Sequence, residues 1–163
     1  MSRLVSELRD VLSRLLAEHE GLYAAVEAHL AAMRKLDVQG MDRSARQQAA
    51  ARLRINQLEQ RRRLLVQQTQ AALRLGGPPA LSAIAQAVPD QAAALLDLRD
   101  RLRNAAARIS RASAISARLA GAIMGHLNTV VRLVAGAVEQ AGLYTRSGNP
   151  QVSGSIGIME AVG

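Results

Sequence analysis

Three histidines, a single lysine and a crowd of arginines are the side chains through which this 163-residue chain could do chemistry. Metal binding is the first chemistry that histidine suggests. His19 and His29 are ten residues apart in one helical pattern, so at 100 degrees per residue their directions differ by about 80 degrees. His126 falls in a different segment. Dinuclear sites in helical bundles use Glu-x-x-His pairs, and neither Glu18-His19-Glu20 nor Glu27-Ala28-His29 has that spacing. A phosphate cradle needs glycines spaced ahead of Gly-Lys-Ser/Thr; here Gly76-Gly77 runs into Pro78-Pro79, and Lys35 sits inside a helical pattern. No Gly-x-Ser-x-Gly elbow exists, and no nucleophile and base pair by spacing. Without cysteine, disulfide and thiolate chemistry are excluded. The expectation is a non-enzymatic protein with no catalytic residues, no metal and no cofactor.

Charge offers a second chemistry. Arg52, Arg54, Arg61, Arg62 and Arg63 crowd one segment with only Glu59 among them, and the chain carries a net charge of +8. Residues 1–36 and the tail from Gly142 are neutral, residues 37–75 carry +5 and residues 76–141 carry +3. A nucleic-acid patch is one reading. Arg61 to Arg63 sweep about 200 degrees of a helix, however, so they do not share one face. With Tyr23 and Tyr144 as the only aromatics, no platform for stacking bases is available. A solvated face, or one for acidic proteins, is the favoured reading, with Arg62 snorkelling from the seam of Leu58 and Leu65.

The elements that carry these residues read as helices. No Phe or Trp is present, so aliphatic side chains must do the packing, which suits narrow helical seams. Leu4, Leu8, Val11, Leu15, Leu22, Val26, Met33 and Leu36 keep three-four spacing and predict a helix over about 2–36. Gly40 is expected to turn the chain in a left-handed conformation, and Asp42 to cap a second helix over about 42–75. That helix shows two seams, one through Ala51, Ile55, Leu58, Leu65 and Ala72, the other through Ala50, Leu53, Leu64, Ala71 and Leu75. After the Gly-Gly-Pro-Pro break, a short helix is expected over about 80–88, then a long one over about 90–141, capped by Asp90. The fold class is all-α: an elongated antiparallel bundle or coiled coil of three long helices and one short one. Residues 1–141 form the bundle in this reading, and residues 142–163 a flexible, partner-binding tail.

The most apolar window is Leu119 to Val138. It contains His126, Asn128 and Arg132, which are costly inside a bilayer. We therefore expect a helix buried in the bundle and no membrane insertion. Ala117, Gly121 and Gly125, four apart, would admit a neighbouring backbone. Tyr23 reads as a seam residue with its hydroxyl at the edge. Tyr144, at the exit of the last helix, reads equally as a packing residue or as an exposed anchor for a partner. The tail retains Val152, Ile156, Ile158, Met159 and Val162, which a purely solvating linker would not need.

The end of the last helix, Leu127-Asn128-Thr129-Val130-Val131-Arg132-Leu133-Val134, is followed by Gly142-Leu143-Tyr144-Thr145-Arg146-Ser147-Gly148. Together with the helical layout, this resembles the FlgN family of flagellar export chaperones. Thr145 stands where that family often has Asp or Gly. The resemblance implies a cytoplasmic chaperone of the flagellar type III export system. It would bind the C-terminal helical regions of hook-filament junction proteins (FlgK- or FlgL-like), prevent their early assembly and deliver them to an FlhA-like export gate. Tyr144 would meet the gate. Residues 119–163 would hold the cargo, with Leu119, Ile123, Leu127, Val130, Val131, Val134, Val138, Ile156 and Met159 as contacts. A monomer or weak homo-oligomer is expected. The alternatives are a small basic protein that binds nucleic acid without sequence preference, and a structural coiled coil that oligomerises.

Overall fold

The computed structural model describes residues 2–78 and 80–140. The regular elements among them are all helices: α1 (Ser2–Arg34), α2 (Val38–Ala72), α3 (Leu81–Ala87) and α4 (Pro89–Gln140). The class is all-α, with three long helices and one short, as the periodicity predicts. The chain divides into two compact units, Met1–Leu119 and Ala120–Gly163. The expected tail over residues 142–163 lies outside the described residues, as do Tyr144, Ile156 and Met159.

In the first unit the core grows from the α1 seam. Val5, Leu8, Leu12 and Leu15 are almost wholly buried, and they pack with Leu65 and Val66 of α2, Ile84 of α3, and Leu95 and Leu98 of α4. A smaller cluster joins Leu22 and Val26 of α1 to Ala51 of α2 and Ala112 of α4, with Tyr23, Ile55 and Ile109 at its edge. Chain direction follows from these pairings. Residues rising along α1 meet residues falling along α2, as in Glu7 with Arg61 and Glu18 with Arg54, so α1 and α2 are antiparallel. Leu95 joins the cluster of Val5 and Leu8, whereas Ala112 joins that of Leu22 and Val26, so this part of α4 runs parallel to α1. Burying each such side chain contributes about 1.5–3 kcal/mol, and aliphatics alone fill both clusters apart from the Tyr23 ring. The Arg108 guanidinium carbon sits 4.1 Å from that ring's centre, a cation–π contact between α1 and α4.

The first turn differs from expectation. Asp37, not Asp42, is the N-cap of α2: its Oδ1 accepts from the Gly40 amide at 2.9 Å. Gly40 is thus inside the first turn of the helix, and Leu36 takes the left-handed conformation at φ 54°. Glycine is needed at position 40 for space rather than for φ. A Cβ there would collide with the Asp37 carboxylate and approach the Ala32 side chain to 3.1 Å. Asp42 instead pairs with Arg46 one turn on. His29 closes the same corner, its Nδ1 lying 2.9 Å from Ser44 Oγ and 3.2 Å from Met41 O. Buried Ser44 donates in turn to Gly40 O at 2.8 Å.

At the second turn α2 ends at Ala72, three residues early, and Arg74 takes φ 55° before Gly77 at φ 87°. The buried Gln70 amide reaches across this turn and donates to Gly77 O at 3.0 Å. Asp90 does not cap α4. The helix opens on Pro89, whose missing N–H costs nothing at a first helical position, and Asp90 falls in the first turn, where its charge suits the helix dipole. The second α2 seam is also not a packing seam: Leu53 and Leu64 are exposed, with Ala50 and Ala71. The seam through Ala51 and Leu65 is the buried one, although its Ala72 is exposed, while Leu75, past the end of α2, is half-buried against the core.

Candidate partner-binding surface

The arginine-rich segment folds as the middle of α2, and much of its charge is used within the chain. Arg54 Nε donates to Glu18 at 2.9 Å and Arg61 to Glu7 at 3.1 Å, which ties α2 to α1. Arg62 makes three hydrogen bonds to Glu59 from a half-buried position. A phosphate backbone would have to compete with these carboxylates. On α4, Arg99 Nε donates to Asp100 at 2.8 Å. That hydrogen bond holds the Asp100 carboxyl below its usual range, the charges of Arg99 and Arg103 helping. Among the described residues no group of three His, Asp or Glu comes together as a metal site. His19 is occupied by a 2.7 Å contact from Nδ1 to Leu15 O.

The residues expected to hold a partner stand differently. Leu119 and Ile123 are half-buried. Leu127 is 54% exposed and Val131 65%, and Val130, Val134 and Val138 are exposed as well. At 100 degrees per residue, these five span an arc of about 100 degrees on one helix. Asn128 and Arg132 lie off the arc on the far side, and Thr129 Oγ1 is bonded back to Gly125 O at 3.0 Å. Met124 adjoins this surface, whereas Leu133, 68% exposed, lies about 60 degrees beyond its other edge. Met124 was missed, though helical arithmetic puts it within about 20 degrees of Val131.

The expectation of a buried helix over Leu119 to Val138 is therefore corrected. No residue described between 120 and 138 is buried. The small residues do not mark a close helix crossing either, since a Cβ at Gly121 or Gly125 would meet nothing within 4 Å. By length and composition α4 also contains a window that could cross a membrane, with a mean hydropathy of 1.3. An exposed apolar arc on a helix is the kind of surface through which proteins meet partners or membranes.

A family model described as FlgN protein matches residues 1–151. The chain belongs to the FlgN family. Membership brings the general role of a flagellar export chaperone and places the chain among chaperones rather than enzymes. The match takes in all four helices and, with them, the exposed arc of α4. No curated protein matches the chain, and no solved structure does.

Proposed function

We propose that the chain is a cytoplasmic chaperone that binds the C-terminal helical region of hook-filament junction proteins of the FlgK and FlgL kind. It keeps them from assembling early and delivers them to an FlhA-like export gate. The observation that carries this reading is the exposed arc of Leu127, Val130, Val131, Val134 and Val138 on α4. Such an arc suits an amphipathic client helix laid along it, with Leu119 and Ile123 extending the contact. Ile156 and Met159 add to the grip from a partner-binding tail over residues 142–163, and Tyr144 meets the gate, as the family resemblance implies. Residues 1–141 act as the helical body, and the chain works as a monomer or weak homo-oligomer.

The test is a pair of titrations of the full chain, one with the junction protein's C-terminal region and one with the gate's cytoplasmic domain. Tyr144→Ala is expected to weaken gate binding and to leave client binding and helicity unchanged. A large drop in Tm for Tyr144→Ala would make it a packing residue and remove its docking role. Failure of the intact chain to bind the junction protein would overturn the chaperone assignment to that client.

A further inference from the structure

Two cavities in the unit of residues 1–119 share His19 and Ala106. One, about 470 Å³, reaches past Arg62, Leu81, Arg99, Leu102 and Arg103. The other, about 250 Å³, reaches past Arg52, Ile55, Asn56 and Ile109. Joined at His19 and Ala106, they make one furrow, with α1 at its base and α2 and α4 as its walls. On α2 it runs from Arg52 to Arg62 and on α4 from Arg99 to Ser110, so at 1.5 Å per residue it is about 15 Å long, or about three helical turns. Leu12 and Leu22 are buried at the base, and Ile55, Leu102 and Ile109 are half-buried along the sides. The floor and sides are thus largely aliphatic, with the half-buried His19 where the two cavities meet.

The rims are basic. Arg52 and Arg62 stand on the α2 side, and Arg99 and Arg103 on the α4 side. Glu59 is the carboxylate that lines the furrow, and Arg62 holds it. Arg99 has Asp100. Among the described residues Arg52 reaches the Gln48 amide oxygen, at 3.5 Å, and no carboxylate, and Arg103 forms no ion pair. Each wall therefore presents one guanidinium with no close ion pair among the described residues, Arg52 in one cavity and Arg103, whose charge also acts on Asp100, in the other.

We propose that this furrow is a second docking site, separate from the α4 arc, for a short acidic amphipathic helix of a partner protein. About three turns of such a helix match its length. Aliphatic side chains enter beside Ile55, Leu102 and Ile109, and carboxylates on the two flanks meet Arg52 and Arg103. Helix-in-groove capture supplies the affinity, and the opposed charges set the choice of partner. A nucleic acid does not fit this arrangement, because the furrow offers largely aliphatic surface and no Phe, Tyr or Trp ring on which a base would stack.

Two synthetic helical peptides with the same leucine stripe, one flanked by Glu and one by Lys, test the site against the full chain by fluorescence anisotropy. At about 50 mM salt, where surface charges are weakly screened, the Glu peptide is expected to bind about tenfold or more tightly than the Lys peptide. Arg52→Glu with Arg103→Glu should reverse that preference. Ala106 is exposed where the two cavities meet, so Ala106→Trp should fill the furrow and weaken the Glu peptide about tenfold without disturbing the core. Leu127→Ser with Val131→Ser should leave it unchanged. Equal affinity for the two peptides, binding of neither, or loss through the Leu127 and Val131 changes instead of Ala106→Trp would each overturn the proposal.

Discussion

Replacing Leu127 and Val131 together by serine should separate client binding from folding. Both side chains already leave about half to two thirds of their area to water, at 54% and 65%. Full burial of a side chain of this kind is worth about 1.5–3 kcal/mol, so covering what remains exposed contributes about 1–2 kcal/mol at each position. Removing both should weaken a client by about 2–3 kcal/mol, or about 30- to 150-fold in Kd. Stability should move by no more than about 0.5 kcal/mol per position, as for other surface substitutions. Serine is a weaker helix former than leucine, so helicity must be followed by circular dichroism. The assay is titration of the full chain with the junction protein's C-terminal region. Asn128→Ala with Arg132→Ala, on the far side of α4, serves as the control. An unchanged Kd for the serine pair, or an equal loss in the control, would refute the assignment of this arc to the client.

Leu8→Ala in the fully buried α1 seam should lower unfolding free energy by about 2–5 kcal/mol; a loss below 1 kcal/mol in urea titration would contradict the core described. Gly40→Ala should lower Tm, although alanine inside a helix normally gains about 1 kcal/mol over glycine, because its Cβ collides with the Asp37 carboxylate. In an Asp37→Ala background, which itself loses about 1 kcal/mol of capping, the same change should cost less; simple additivity would count against the collision. The Asp100 carboxyl titrates lower when folded than when unfolded because Arg99 bonds it. Its small contribution to stability is therefore complete above the unfolded value of about 3.9 and is lost as pH falls through the folded one. Arg99→Ala should flatten that part of the acid stability profile, and an identical profile in the variant would show that the pair does not matter.

Periodicity made the helices legible because an apolar stripe at three-four spacing has few other uses. It identified most of the α1 seam but not Val5, which is buried, and it included Leu36, which is 66% exposed past the end of α1. It could not say which stripes are covered. Leu53 and Leu64 of α2 and the valines of α4 repeat as regularly as Leu8 and Leu15, yet they face water, since coverage depends on what lies opposite. The corner between α1 and α2 shows the same limit. Asp37 and Asp42 are both good caps by type, and the choice follows from the approach of Gly40 to Ala32, a contact between two helices. The bonds of His29 to Met41 and Ser44 were not legible either. Nor was the Arg108–Tyr23 contact, which joins residues 85 positions apart. The furrow's charge was visible only as an arginine excess, because its two walls come from separate helices.

The glycines of α4 have one more consequence. Gly121, Gly125 and Gly136 each have open space where a side chain would be, so no packing contact explains them. Each weakens a helix by about 1 kcal/mol relative to alanine. With no buried residue described between 120 and 138 to compensate, this stretch keeps its helix largely through its own backbone bonds. A client that covers the arc then supplies cohesion as well as contact. When it leaves, part of the binding energy is returned as conformational entropy, which favours a grip that is specific yet readily undone.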